Sequence, residues 1–364
     1  MQETHGELVP DDAPARPVDL LSEDDLAVIN ALQLQPRASW TELGRVLGVD
    51  PVTVARRWNR LSARGEAWVS ISPGPRLFDR VCIAYLDIDC GAGRADDVAR
   101  ALSRHPHMLT IERSAAGREL LATVATSDLA AMSRYTLDIL PTVPGITALR
   151  TRLVTHMFTE GGYWRIAALA PGQRARLAAG PDAPGTTDDG IGQVTELDRA
   201  VLARLTGDGR ASYRSMAADL AGTAAVKRRV DRLTRLGLMR FRCDFARPLG
   251  GWPVAATFWA RVPPAQLPDV GHALVRLPET RNCAAVTGPH NLVVQANLHA
   301  VSDVLGFETR LAAAHPGLDI IEREITLRHD KLLGHILDPH GRSVGVVAPD
   351  IWAAPGGGDG DIVL

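Results

Sequence analysis

Basic side chains recur at helical spacing in two stretches of the chain, around residues 53–60 and 223–232. An arginine guanidinium can bind a guanine edge or a phosphate through paired hydrogen bonds, and residues near the start of a recognition helix meet base edges. The pattern therefore predicts nucleic-acid contact, with a merely solvated helix face as the alternative. The candidate DNA-binding residues are Thr53, Arg56, Arg57 and Arg60 in the first stretch, together with Ser39 ahead of it, and Thr223, Lys227, Arg228, Arg229 and Arg232 in the second.

The regions around these stretches differ in charge. Residues 195–245 contain eleven Lys and Arg against six Asp and Glu, whereas residues 21–66 contain six of each kind. Because phosphate affinity grows with the number of basic contacts, we expect the second region to bind the DNA backbone more tightly. Ala224-Ala225 stands where the first region has Val52-Thr53, and alanine offers base edges no hydrogen bond. We therefore expect the first region to read sequence.

Each basic stretch needs a helix to present it. Ser39-Trp40-Thr41-Glu42 predicts a capping box, in which Ser39 binds a free amide and Glu42 reaches back. Asp50-Pro51 predicts the start of the next helix, with its apolar face at Val54, Trp58 and Leu61. Three short helices, with a turn before the third, are typical of a helix-turn-helix domain.

The chain also repeats itself. Arg37-Ala38-Ser39-Trp40 recurs as Arg210-Ala211-Ser212-Tyr213, an offset of 173 (210 minus 37). Arg56-Arg57 recurs as Arg228-Arg229, an offset of 172 (228 minus 56). A nearly constant offset of this size predicts two tandem copies of a two-domain unit.

The rest of each copy alternates strands and helices. In the first copy the pattern predicts strands at 81–89, 109–114, 120–126 and 146–155, and helices at 95–103 and 129–140. This β-α-β-β-α-β order is ferredoxin-like, so the predicted fold class is α+β: two copies of a helix-turn-helix domain followed by a ferredoxin-like domain. The predicted divisions are a disordered arm (1–18), helix-turn-helix domain 1 (19–75), ferredoxin-like domain 1 (76–160), a linker (161–194), helix-turn-helix domain 2 (195–250), ferredoxin-like domain 2 (251–338) and a disordered tail (339–364).

Other kinds of chemistry find little support in the sequence. It contains no catalytic triad pattern, no HExxH, no phosphate-binding glycine motif and no His or Cys cluster at metal-ligand spacing. No apolar run approaches the ~18 residues of a membrane span, and no signal peptide is evident. We therefore expect a cytoplasmic protein that is not an enzyme and that holds no cofactor or metal.

The ordered motifs carry a family resemblance. In the first copy they are Asp25-x-x-Val28-Ile29-x-x-Leu32, Leu43-Gly44-x-x-Leu47-Gly48-Val49-Asp50-Pro51, Arg57-Trp58-x-Arg60-Leu61 and Leu140-Pro141-x-Val143-Pro144-Gly145. In the second copy they are Asp198-x-x-Val201-Leu202-x-x-Leu205, Arg229-Val230-x-Arg232-Leu233 and Pro316-Gly317. Taken together, they resemble the Lrp/AsnC (feast/famine) family of transcription regulators, here in a tandem form.

The resemblance implies a sequence-specific DNA-binding transcription regulator whose fused units form an internal pseudo-dimer. It also implies homo-oligomers, such as a dimer or tetramer of the chain, and a small-molecule effector, an amino acid or another metabolite, bound at the ferredoxin-like domains. In the family the loop between the second and third strands lies near the effector. The corresponding residues are Ala116, Gly117 and Arg118 in the first copy, and Gly288, His290 and Asn291 in the second.

Neither loop keeps the aspartates of the family, which argues against an amino-acid effector. Arg118 would suit an anion, and a plain hairpin turn is an equally good interpretation. Two other functions stay open. Siroheme decarboxylases are similar to the same family, and His290-Asn291-Leu292 is similar to their Tyr-Asn-Leu run. The third possibility is a sensor that has lost DNA binding in one half.

Overall fold

The computed structural model describes residues 20–115, 117–178 and 194–356 of the chain. The first half contains α1 (Glu23–Leu34), α2 (Trp40–Leu47), α3 (Pro51–Ala63), β1 (Ala67–Pro73), β2 (Cys82–Cys90), α4 (Ala95–Ser103), β3 (Met108–Ser114), β4 (Leu120–Thr126), α5 (Leu129–Arg134), β5 (Ile146–Thr159) and α6 (Pro171–Ala178). The second half contains α7 (Glu196–Gly207), α8 (Tyr213–Asp219), α9 (Thr223–Arg235), β6 (Met239–Phe245), β7 (Val254–Arg261), α10 (Leu267–Leu274), β8 (Thr280–Val286), β9 (Leu292–Leu298), α11 (Asp303–Ala314), β10 (Asp319–Leu332), β11 (His335–Leu337) and β12 (Ser343–Val346).

The helix starts follow capping chemistry. Ser22 and Asp25 form a reciprocal capping box at α1, because each side chain accepts the other's backbone amide. At α2 the Ser39 hydroxyl accepts the Glu42 amide at 3.2 Å, but no capping box forms, so the predicted return bond from Glu42 is wrong. Asp50 caps α3 by accepting the Val52 amide at 2.8 Å, with Pro51 as the first helical residue.

Two helix-turn-helix units result, α1–α3 and α7–α9, each with its own apolar core. In the first unit the buried face of α3 (Val54, Trp58 and Leu61) packs into one cluster with Ile29 and Leu32 of α1. In the second unit Val226, Val230 and Leu233 of α9 occupy the corresponding positions. The helical spacing of apolar residues therefore predicts the buried faces of both third helices.

Strands β1 and β6 join the two units side by side. They pair antiparallel from Ala67↔Phe245 to Pro73↔Met239, with Ser70 opposite Arg242 at the centre. The separation of these central residues is 172 (242 minus 70), which equals the repeat offset in the sequence. The two strands therefore pair symmetrically about equivalent central residues.

The remaining long strands form one closed barrel. The first half contributes the order β3-β4-β2-β5, and the second contributes β8-β9-β7-β10. Strand β5 pairs with β8 at Val154↔Val286, and β10 pairs with β3 at Thr326↔Ser114. Adding 172 to Val154 and Ser114 gives Thr326 and Val286, so the two junctions are also equivalent.

The closed barrel differs from the expectation of two ferredoxin-like domains, each with its own sheet. Edge strands expose unpaired backbone amides and carbonyls, and here each half satisfies the edges of the other. Helices α4 and α5 cover the outside of the first four strands, where Leu86 packs against Val98 and Leu102. The neighbouring Tyr85 lies inside the barrel against Trp259.

Two segments assigned to linker and tail have ordered parts. Within the predicted linker (161–194), Trp164 and Ile166 are buried in the first helix-turn-helix core, and α6 packs there through Leu177. Within the predicted disordered tail (339–364), β12 extends the sheet and Ile351 is buried against the second unit. Apolar side chains in these glycine-rich segments pack against the cores of the helix-turn-helix units. Composition alone does not predict this packing. Residues 179–193 and 357–364, like the predicted arm, lie outside the described residues.

Candidate nucleic-acid interface

The solvent face of α3 begins at its N-terminal turn. Val52 is 74% exposed, and Thr53 is half-buried behind it. Arg56 lies one turn further along, is exposed, and makes no ion pair or hydrogen bond with any described residue. Recognition helices contact base edges in the major groove through residues near their N-terminal end. The free guanidinium of Arg56 lies in this part of α3.

Arg57 and Arg60 are held by the first helix of their own unit. The Arg57 guanidinium binds Asp24 at 2.8 Å and Asp25 at 3.2 Å. Arg60 also forms an ion pair with Asp25. Burial opposes the charge on Asp25, but hydrogen bonds from Ser22 and Arg57 and the charge of Arg60 outweigh it and lower the pKa of this carboxyl. These two arginines therefore brace α3 against α1, which the sequence prediction missed.

The second unit repeats this brace with looser geometry. Asp198 is the residue of α7 that corresponds to Asp25, and it is fully buried. Arg229 and Arg232 approach its carboxylate at 3.7 and 3.6 Å. Lys227 is paired with Asp231 at 2.6 Å, one turn further along α9. The sequence does contain a signal for this brace. In each unit an aspartate follows the N-cap of the first helix by three residues, and arginines lie on the third helix.

Arg228 is the counterpart of Arg56 in the second unit. It is exposed on α9 and forms no ion pair or hydrogen bond with the described part of the chain. Thr223 is exposed at the first position of α9, which has no side-chain cap. Ser39 has the separate task of capping α2. The structure thus leaves Arg56, Arg228 and Thr223 free to bind, with Thr53 partly covered.

Two equivalent arginines fix how the helix-turn-helix units sit together. The Arg37 guanidinium donates to the carbonyls of Gly209 and Ala211 at 2.6 and 2.9 Å. Arg210 returns the same contacts to Pro36 and Ala38 at 2.7 and 2.9 Å. Arg210 also lies over the Trp40 ring at 3.9 Å from its centroid. The repeated Arg-Ala-Ser motif is therefore part of the interface between the units, beside the β1–β6 pair.

This interface also changes the meaning of the charge count. Of the eleven basic residues between 195 and 245, Arg210 faces the first unit, and Arg242 lies buried against Asp244 and Glu160. Arg240 stacks over the Tyr163 ring at 3.6 Å. These three charges are unavailable to phosphate, so the excess on the DNA-facing side is smaller than the sequence predicts.

In the first half, the hairpin that was predicted to bind an effector already forms ion pairs with other residues of the protein. Arg118 is buried and forms ion pairs with Asp87, with Glu322 at 2.5 Å and with Glu324 at 3.2 Å. Burial opposes its charge, but the three carboxylates outweigh burial and raise the pKa of Arg118. A guanidinium shared among three carboxylates has little capacity left for an anionic ligand.

The corresponding hairpin of the second half is mainly structural. The Asn291 side chain bonds both the amide and the carbonyl of Val262, at 2.9 and 2.8 Å, which ties the turn to β7. Gly288 and Gly117 have positive φ angles of 108° and 66°, as tight turns require. His290 is buried with Nδ1 unpartnered, and burial together with the charge of Arg152 lowers its pKa. Ala116 lies outside the described residues.

A cleft of about 500 Å³ lies elsewhere, between the segment after β5 and α11. Trp164 and Trp252 form its aromatic wall, with their rings 5.5 Å apart and edge to face. Gly306 and Arg310 of α11 line the other side. This volume lies within the range of small-molecule sites, and the sequence pattern gave no sign of it.

Parts of the sequence are similar to those of known transcription regulators. Residues 21–62 match the AsnC-type helix-turn-helix domain. An uncharacterized HTH-type transcriptional regulator of Pyrococcus abyssi is 30% identical over 135 residues, which are 36% of this chain and 85% of the relative. The HTH-type transcriptional regulator FL11 of Pyrococcus horikoshii is 22% identical over 142 residues, which are 38% of this chain and 93% of the relative.

Among solved structures, the siroheme decarboxylase NirDL superposes on 85% of this chain and 93% of its own, with a TM-score of 0.54 and 12% identity. The same enzyme in complex with an iron-uroporphyrin III analogue gives a TM-score of 0.55 over 86% of this chain and 93% of its own. At this identity the likeness concerns the fold. The archaeal relatives each align with little more than a third of the chain, whereas NirDL aligns with most of it.

Proposed function

Because this chain belongs to the Lrp/AsnC family of helix-turn-helix transcription regulators, we propose that it recognises a specific DNA sequence with both helix-turn-helix units at once. The observation that carries the proposal is the pair of free, exposed arginines, Arg56 on α3 and Arg228 on α9, at equivalent positions. The reciprocal contacts of Arg37 and Arg210 fix the spacing between them. The two units then act as an internal pseudo-dimer.

The two units divide the work in this proposal. On α3, Thr53 and Arg56 offer hydrogen-bonding groups to base edges, whereas α9 has Ala225 at the position that matches Thr53. Arg228 and Arg235 of α9 are both exposed and basic, which suits phosphate contacts. The preferred DNA site is therefore asymmetric, with one half-site read more strictly than the other.

Fluorescence anisotropy tests this function directly. The labelled duplex is the region upstream of the protein's own gene, and unrelated DNA is present in excess. We expect Arg56→Ala and Arg228→Ala each to weaken binding by about 10- to 100-fold, as loss of a guanidinium contact to DNA does. Arg100→Ala removes the same charge from an exposed position of α4, which covers the barrel and belongs to neither helix-turn-helix unit, and serves as the matched control. Absence of binding at low salt would remove the proposal.

The same assay separates the roles of the two units. Arg56→Ala should reduce the preference for the specific duplex over competitor, because a base-reading contact is lost. Arg228→Ala should weaken both complexes alike and reduce the slope of affinity against salt by about one unit. Equal losses of preference in the two variants would contradict the division of labour.

We place the small-molecule effector in the cleft between Trp164 and Trp252 rather than at the hairpins, where Arg118 and Asn291 are already bonded to protein groups. A ligand with a flat apolar face fits the aromatic wall, and Arg310 supplies a cation on the opposite side. Tryptophan fluorescence during metabolite titrations would report binding. Gly306→Leu should abolish the response by filling the cleft.

A second candidate function rests on the likeness of the whole fold to a siroheme decarboxylase. In that case the same cleft would face a tetrapyrrole, and the DNA-facing arginines would be incidental. Absorbance of the purified chain after incubation with an iron uroporphyrin distinguishes the functions. A new Soret shift that is lost in Gly306→Leu would favour the enzyme, whereas an unchanged spectrum together with specific DNA binding favours the regulator.

A further inference from the structure

A small cavity lies at the end of the barrel that meets the β1–β6 pair. Barrel residues line most of it, and Arg242 of β6 closes it from the side of the helix-turn-helix units. Its volume is about 60 Å³, which is room for a few water-sized groups and too small for a nucleotide or a tetrapyrrole.

Arg281 of β8 faces this cavity without a partner. Only 6% of the residue is exposed, and its guanidinium forms no hydrogen bond or ion pair with any described residue. Gly161 lies directly against it, since a Cβ at that position would stand 2.8 Å from the Arg281 Cζ atom. The absence of a side chain at Gly161 therefore leaves space for the Arg281 guanidinium. The guanidinium lies beside the cavity.

The lining also contains three hydroxyl groups that are free to donate, together with the Glu160 carboxylate and the Asn282 amide, which donates to Gln295. Tyr85 is 2% exposed, and its hydroxyl has no hydrogen-bond partner within the described part of the chain. Burial raises the pKa of Tyr85, so the hydroxyl keeps its proton. Thr110 and Thr123 line the same cavity, and neither hydroxyl is hydrogen-bonded to a described residue. The lining thus offers several donors to one small volume.

The carboxylates nearby are already engaged. Asp244 receives the Arg242 guanidinium at 2.5 and 2.7 Å, and Glu160 receives it at 3.1 Å. Arg247 has neutral partners, Asn297 at 2.9 Å and His329 at 3.0 Å. Glu112 is also buried nearby, but it accepts hydrogen bonds from the neutral Gln295 and Thr326. Arg281 therefore forms no ion pair with any described carboxylate, and a buried charge is costly unless it is paired.

We propose that this cavity binds one small tetrahedral oxyanion, such as sulfate or phosphate, between the Arg281 guanidinium and the Tyr85 hydroxyl. The anion pairs with the Arg281 guanidinium and accepts hydrogen bonds from the hydroxyl groups that the lining leaves free. Because Arg242 lies at the centre of the β1–β6 pair, the bound anion ties the barrel to the strands that carry both helix-turn-helix units.

Thermal unfolding of the full chain tests the site. Sulfate is titrated to about 10 mM at constant ionic strength maintained with gluconate, because general salting effects of sulfate require higher concentrations. We expect the wild-type midpoint to rise with a saturating dependence, by roughly 3 to 4 °C at 100 times the dissociation constant. An unchanged midpoint would show that water alone fills the cavity and would overturn the proposal.

Variants separate an anion site from general stabilisation. Arg281→Met should lose the sulfate response without a lower midpoint in sulfate-free buffer, because it also removes the unpaired charge. Gly161→Ala should weaken the response by displacing the guanidinium, whereas Gly172→Ala, with open space around it, should not. A response in Arg281→Met equal to that of wild type would overturn the proposal, as would formate acting as strongly as sulfate.

Discussion

At the scale of single residues, one aspartate in each helix-turn-helix unit decides which arginines are free for DNA. Asp25 caps the start of α1 and at the same time receives Arg57 and Arg60 from α3. Arg56 points away from this aspartate and keeps its donors free. Neighbouring arginines on one helix therefore have different tasks, one bracing the domain and the other exposed to a ligand.

Replacing Asp25 should destabilise the first unit. Asp25→Ala removes the capping box and leaves two guanidinium groups without a carboxylate, so we expect the free energy of unfolding to fall by about 2 kcal/mol. The lowered pKa of Asp25 means that its contribution is present above about pH 4 and is lost as the pH falls towards the folded-state pKa. Urea unfolding at pH 7 measures the loss.

Asp24 provides the matched control for this prediction. It binds the same Arg57, but its side chain is largely exposed, and such ion pairs contribute little. Asp24→Ala should therefore change the unfolding free energy by less than about 0.5 kcal/mol. Equal effects of the two substitutions would show that burial of Asp25 does not matter.

Lys331 provides a pH-dependent prediction. It is fully buried at the end of β10 and donates to the carbonyls of Ser103 and His105 at 2.8 and 3.0 Å. Burial lowers the pKa of Lys331 to about 7. Because the unfolded chain holds this proton up to about pH 10.4, stability should rise with pH, by about 2 kcal/mol between pH 7 and pH 9.

Lys331→Met isolates that contribution. Methionine cannot titrate, so the variant should lack the rise that wild type shows between about pH 7 and pH 9. Chemical unfolding of both proteins at three pH values provides the comparison. Parallel stability curves for the variant and wild type would show that the buried ammonium is not the source of the pH dependence.

Sequence reasoning predicts some of these residues and misses others for a physical reason. Helical periodicity places Val54, Trp58 and Leu61 in the core, because burial repeats with the turn of the helix. Periodicity cannot tell Arg56 from Arg57, since both lie off the apolar face. Their difference depends on α1, which lies across the domain.

At the scale of elements, the contact between the two helix-turn-helix units explains a repeated motif. The Arg-Ala-Ser sequence that precedes α2 and α8 places Arg37 and Arg210 across the interface. Each guanidinium binds carbonyls of the other unit, so neither unit can shift without breaking several bonds. The distance between α3 and α9 is thereby set by the chain itself.

Removing Arg37 should loosen this spacing. We expect Arg37→Ala to lower the free energy of unfolding by about 2 kcal/mol, because hydrogen bonds from a charged donor and a stacking contact are lost. The variant should also tolerate changed half-site spacing in DNA better than wild type does. Arg45→Ala, on the exposed side of α2, should leave both properties unchanged.

The elements themselves were largely predictable, and their pairing was not. The pattern predicts a strand at 120–126 and a helix at 95–103, and the structure has β4 at Leu120–Thr126 and α4 at Ala95–Ser103. The helix predicted at 129–140 ends as α-helix at Arg134 and continues in wider and tighter turns to Thr142. Closure of the barrel depends on β5 meeting β8 and β10 meeting β3, and no local pattern encodes contacts of such separation.

At the scale of the whole molecule, the barrel makes the two halves one cooperative structure. Each half contributes four neighbouring strands to it, the two sets meet at two junctions, and the β1–β6 pair joins the halves again. Neither half can unfold without opening the edges of the other. We therefore expect a single calorimetric transition, with the van't Hoff and calorimetric enthalpies equal. Two separated transitions would show that the halves are independent.

The central claim is that the fused units read one DNA site of fixed geometry. Selection from a random duplex library by the full chain, followed by sequencing, tests it most directly. We expect enrichment of an asymmetric site, with two half-sites at one fixed spacing and the stricter half-site lost in Arg56→Ala. Enrichment of no sequence, with binding that only follows salt, would contradict it.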